Sequence, residues 1–141
     1  MFIKEVTITP KGFRSWVSHD IYTVYYKFQQ WNEPVLENSR LFVYHVNPED
    51  LARLINTFRD CNTAMFLAEV EDPKVIGRQE YSYNTVNYPV VWNRYMSLKD
   101  FDPAEFPCFI TPVVCTKVKL VEMIDCDPNF IRMAKSFMEG E

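Results

Sequence analysis

From Asp20 to Trp31 the chain reads DIYTVYYKFQQW, and its apolar and polar positions take turns. Tyr22, Val24, Tyr26 and Phe28 fall on one side, Thr23, Lys27 and Gln29 on the other. A period of two is the mark of a half-buried strand. The same reading predicts strands at Phe2 to Thr9, closed by Pro10, and at RLFVYHV, residues 40 to 46. Between them KGFRSWVSHD is predicted as a loop or a short helical turn, and NEPVLENS as a polar loop.

The period changes at NPEDLARLINTF. Asn47 is placed to cap a helix, Pro48 suits its first position, and Glu49 and Asp50 complement the positive end of its dipole. Leu51, Leu54, Ile55 and Phe58 make one apolar stripe, which predicts a helix over about 48–60. A second helix, about 128–139, uses the same device. Asp127 caps it, Pro128 starts it, Gly140 ends it, and Phe130, Ile131, Ala134, Phe137 and Met138 form the stripe.

Four further segments read as strands: TAMFLAEVE, KVIGRQEYSYN, NYPVVWNRY and CFITPVVCTKVKLVEMI. The last begins poorly, because Pro112 cannot donate to a ladder. Beyond it Val114, Val118, Leu120 and Ile124 are expected on one face, with Lys117 and Lys119 on the other. Strands outnumber helices and are grouped rather than alternating with them. The expected fold is therefore α+β, a single compact domain over 1–141 with a mainly antiparallel sheet and the two amphipathic helices packed on it.

The densest aromatic stretch is EYSYNTVNYPVVWNRY, Glu80 to Tyr95. If residues 84–87 form a four-residue hairpin loop, Tyr81, Tyr83, Tyr88, Val90 and Trp92 share one face. Burial of those rings as the inner face of an amphipathic hairpin is the reading favoured, with a ligand cleft as the alternative. Arg94 ends it on the ring side, and Lys74 to Lys99 carries Lys74, Arg78, Arg94 and Lys99 against Glu80 alone. The candidate ligand-binding residues are Tyr81, Tyr83, Tyr88, Trp92 and Arg94, with Arg78 and Asn93 beside them. Stacking rings and arginines suit a nucleotide-like anionic small molecule.

Composition narrows the function classes. With 141 residues, 48% hydrophobic and 24% charged, the chain has the make-up of an ordinary globular domain able to bury a core without staples. A net charge of -4 and a pI near 5.2 argue against a general nucleic-acid binder. The N-terminus alternates and carries charges unlike a signal peptide, and no apolar run reaches the ~18 residues of a spanning helix. A cytoplasmic location and no membrane association are expected. Cys61, Cys108, Cys115 and Cys126 form no C-x-x-C pair and are expected to be reduced and structural.

Catalytic signatures are scarce. Ser18, His19 and Asp20 are chain neighbours, which cannot converge as a triad does. His45 stands without a second ligand at zinc spacing. Asp125 and Asp127 oppose a thiolate at Cys126. Glu69 and Glu71 share a strand face that could help hold magnesium, although a solvated strand end explains them as well. Glycine numbers 3, too few for a phosphate loop.

The expectation is a non-enzymatic interaction module: an accessory, adaptor or inhibitor protein of phage or viral type, with a protein partner and a homodimeric state. The alternatives are the nucleotide-binding cleft and an enzyme using dispersed carboxylates or His45. No cofactor and no metal are expected. Titrating nucleotides into wild type and Trp92→Phe while following tryptophan fluorescence checks the cleft. A response confined to wild type is expected, and a flat titration with no calorimetric heat removes the cleft.

Overall fold

A computed structural model describes residues 1–15, 23–35, 40–58, 60–76, 98–105 and 110–139. Ten strands lie in these segments: β1 (Phe2–Thr9), β2 (Gly12–Ser15), β3 (Tyr25–Tyr26), β4 (Trp31–Asn32), β5 (Leu41–Val46), β6 (Thr63–Glu71), β7 (Lys74–Ile76), β8 (Leu98–Asp100), β9 (Ile110–Cys115) and β10 (Lys117–Cys126). Every pairing between them is antiparallel, in the order β4-β10-β6-β1-β5-β9-β7-β8. The helices are α1 (Leu51–Phe58) and α2 (Ile131–Met138), each entered through a 3₁₀ turn, Pro48–Asp50 and Pro128–Phe130. The fold is the expected α+β domain, with the sheet curled into a half-barrel. No helix among the described residues is long and apolar enough to cross a membrane.

Strand β1 organises the sheet. One edge pairs with β6 from Phe2 to Thr7. The other edge is divided, pairing with β5 at Phe2 and Ile3 and with β2 from Val6 to Thr9. The sheet therefore forks at Lys4 and Glu5. Beyond Ile3↔Tyr44 the ladder to β5 stops, and the Phe42 carbonyl lies where its next partner belonged. Lys4 supplies that partner, its Nζ donating to Phe42 O at 2.7 Å. The amine also lies over the Tyr26 ring, 5.0 Å from its centroid.

Alternation along β1 divides two cores. Val6 and Ile8 join Phe13, Val43, Phe66, Val113, Val118 and Leu120 in the larger one. There α2 closes the packing through Ala134, Met133 and Phe137, whose ring meets Phe13 edge-on at 5.5 Å. Ile3 joins Val46, Met65 and Leu54 of α1 on the opposite face, with Leu51 and Ile55 packed alongside.

Several local expectations change. Gly12 to Ser15, expected as loop or turn, is β2, because Thr9 faces Gly12 across a tight turn and φ +132° at Gly12 admits only glycine. The Asp20 to Trp31 segment is not one strand: Gln29 at φ 59° breaks it between β3 and β4. Asn47 makes no side-chain cap; its backbone carbonyl accepts from Asp50 N instead. Asp127 does cap, accepting from Asn129 N. Ile131 is exposed and Met133 takes its place, because the 3₁₀ turn shifts the helical phase to 130, 133, 134, 137 and 138. Val114 and Ile124 leave the face of Val118 and Leu120, since Thr116 interrupts the run and β10 carries irregularities after Leu120 and Met123. Gly140 and Cys108 lie outside the described residues.

Lys4 and Glu5 bring opposite charges into opposite faces of one strand, and both are buried. Desolvation pushes the Lys4 amine down to about 8 and the Glu5 carboxyl up to about 7. Between about pH 4.5 and 7 the folded chain holds more protons at Glu5 than the unfolded chain, so stability falls as pH rises. Between about 8 and 10.5 the unfolded chain holds more at Lys4, so stability rises, by on the order of 3 kcal/mol in full. The Cys115 thiol, pushed up to about 12 by burial, pulls the other way above pH 9. The difference between wild-type and Lys4→Met denaturation profiles isolates the rise above pH 8, and Glu5→Gln removes the fall below pH 7. Superimposable profiles would count against buried, desolvated charge at the fork.

Candidate functional site

The expected cleft residues Arg78, Tyr81, Tyr83, Tyr88, Trp92, Asn93 and Arg94 lie outside the described residues, as do Ser18, His19 and Asp20. His45 is placed on β5 with Phe2 and Phe101 around its ring, centroids 5.3 and 4.6 Å away, and Met1 N 3.3 Å from Nε2. Burial and the neighbouring ammonium lower its pKa, which favours a neutral imidazole held by aromatic packing. Glu69 and Glu71 do share a face of β6, and their cross-strand neighbours on β10 are Lys119 and Lys117. Among the described residues no three His, Cys, Asp or Glu side chains group as metal ligands.

The thiols divide by environment. Cys61 is exposed, against the expectation of a structural role, because it lies in the turn after α1. Cys115 and Cys126 are buried. Burial raises Cys126 first, and Asp127 and Asp125 add to it, so its thiol stays protonated. Cys115 donates to Leu41 O at 3.4 Å beside the fork. There Lys4, Tyr26 and Ser15 converge: the Lys4 amine lies over the Tyr26 ring, and Ser15 Oγ donates to Val24 O at 3.2 Å. All are buried, and Lys4, Ser15 and Cys115 spend their donors on backbone carbonyls.

The exposed chemistry lies one segment away. Between β3 and β4 the chain makes a turn fixed from inside by Asn32, which is only 8% exposed. Asn32 Oδ1 accepts from Lys27 N at 2.9 Å, and its Nδ2 faces the carbonyls of Gln30, Lys27 and Val118 at 2.9, 3.2 and 3.1 Å. Gln29 N donates to Leu120 O at 2.9 Å, which ties the crest of the turn to β10. One amide thus uses both its acceptor and its donors to hold the segment in a single shape.

That shape turns large rings outward. Trp31 is 47% exposed and Tyr25 42%, and Val35 follows at 59%. Trp31 stands opposite Lys119 on β10, whose Nζ lies 5.7 Å from the ring centroid. Two cross-strand rows end here on the same face: Glu69–Lys119–Trp31, and Glu71–Lys117–Glu33 with Lys117 Nζ at 3.9 and 3.5 Å from the two carboxylates. Among the described residues no strand pairs with the outer edge of β4. The turn thus presents an exposed tryptophan beside a strip of alternating charge.

The alternation already held a trace of this turn. In DIYTVYYKFQQW the polar Thr23, Lys27 and Gln29 share odd numbering with Tyr25 and Trp31, two rings that depart from the alternation. Replacing Asn32 with Ala leaves a buried N–H and buried carbonyls unpaired, each costing about 1–3 kcal/mol. A loss of roughly 2–4 kcal/mol in denaturant unfolding is therefore expected, together with a red-shifted or more mobile Trp31 signal. Wild-type stability in Asn32→Ala would deny the turn its anchor.

No family model, no curated protein and no solved structure matches this chain.

Proposed function

We propose that this chain is a non-enzymatic interaction module, an accessory, adaptor or inhibitor protein that acts by surface contact through the Trp31 turn. The observation that carries the reading is an exposed indole on a turn locked by buried Asn32. Tryptophan leads the residues that dominate protein interfaces, and here it is held exposed on a fixed turn. Preorganisation strengthens the case. A segment already held in one shape loses little conformational freedom on association, so more of its contact energy appears as affinity. Tyr25 and Val35 are further large apolar side chains left exposed in this stretch of chain.

The experiment is affinity capture from the cells that naturally make the protein, comparing wild type with Trp31→Ala and with an exposed control substitution on α2, Ser136→Ala. Proteins retained by wild type and by the control, and lost from Trp31→Ala by tenfold or more, are expected. Equal retention by all three, with Trp31→Ala folded as wild type by circular dichroism, would refute contact through this turn.

A further inference from the structure

We infer that the Trp31 turn receives an extended, basic segment of a protein partner, with Arg or Lys set against Glu33 and an apolar side chain two residues away against Trp31. The inference deepens the contact reading above and rests on it. Its basis is the order of charges along two rows of one sheet face. Glu71, Lys117 and Glu33 run negative, positive, negative towards the edge. Glu69 and Lys119 run negative, positive, and Trp31 completes that row.

Lysine is the limiting charge in this strip. Lys117 is shared by two carboxylates, and Lys119 lies against the indole. Three carboxylates thus face two ammonium groups, and the Glu33 side chain, at the outer end of its row, is 66% exposed. The next charge that complements this row is positive, and it must come from outside the sheet. Trp31 and Glu33 are two residues apart, and the Lys117–Glu33 contact sets them on the same face. A partner chain running alongside in extended form meets them with side chains that are also two residues apart.

The backbone limits how the partner can bind. Pro34 offers no N–H, and Gln29 turns the chain away with its left-handed φ of 59°. Ladder pairing at β4 is thereby confined to a couple of residues, and side chains carry the recognition. A nucleic acid is disfavoured, since its phosphates would meet the surplus carboxylates. A second copy docking through the same patch would set one acidic strip against another.

The probes are three synthetic hexapeptides that alternate leucine with arginine, with glutamate, or with serine. Protein labelled with 5-fluorotryptophan gives fluorine resonances from its three tryptophans, and the one missing from Trp31→Phe reports this site. The arginine peptide is expected to shift that resonance saturably. Glu33→Gln combined with Glu71→Gln should weaken the binding about fivefold, and raising NaCl from roughly 0.05 to 0.5 M should weaken it further. The serine peptide should bind at least as weakly as the arginine peptide does to the double variant.

A larger shift with the glutamate peptide, no shift with the arginine peptide, or binding indifferent to the double variant would overturn the inference. So would self-association in light scattering that Trp31→Ala abolishes and that competes with the arginine peptide. Capture of natural partners that needs Trp31 but ignores Glu33 and Glu71 would defeat the basic-segment inference alone. Capture that ignores Trp31 would defeat the contact reading beneath it.

Discussion

One hydrogen bond sits where the sheet divides, and much of the architecture is arranged around it. Strand β1 gives one edge to β6 and must serve both β5 and β2 with the other. Backbone groups at such a divergence cannot all remain in ladders, and a buried carbonyl left alone costs about as much as a lost hydrogen bond. The Lys4 amine, reaching Phe42 O at 2.7 Å, closes that gap with a side chain. The solution is itself expensive, because an ammonium is taken out of water, and this depresses its pKa. Divergence lets the sheet curl around the larger core, with α2 packed against Phe13 and α1 against the opposite face.

Much of this was readable from local pattern. Strand β1 follows from period-two alternation, β5 and β6 were read as apolar strand segments, and both helices follow from a proline at the first position with acidic or capping neighbours. What alternation could not show is where it fails. The positive φ at Gln29, the break at Thr116 and the irregularities in β10 each reset which side chains face inward. These are choices imposed by distant partners, such as Leu120 receiving Gln29 N, and a linear pattern holds no record of them. The short β2 strand was missed for a related reason: four residues with one glycine look like a turn until β1 is placed beside them.

The candidate site was legible only in outline. Trp31 and Tyr25 are rings that depart from the alternation around them, but only the structure shows that Asn32 is buried and holds the turn that carries Trp31. An Asn-Glu-Pro sequence gives no hint that its amide will reach the Val118 carbonyl, 86 residues along the chain. Lys4 was hidden more deeply. A lysine at an inward position of a strand conflicts with the pattern around it, and such local conflicts are where long-range structure overrides propensity.

The carboxylate of Asp127 has a consequence of a different kind. Its two oxygens accept from Asn129 N, at the entry to α2, and from Asn62 N, just before β6, while Asn62 exchanges bonds with the backbone of Ile8. Helix α2, the start of β6 and the end of β1 are thus latched at a single point. Peeling the helix away would also loosen the seam between the first and sixth strands. Helix α2 and strand β1, far apart along the sequence, are therefore joined through the Asp127 and Asn62 hydrogen bonds, so local opening of one is expected to carry the other with it.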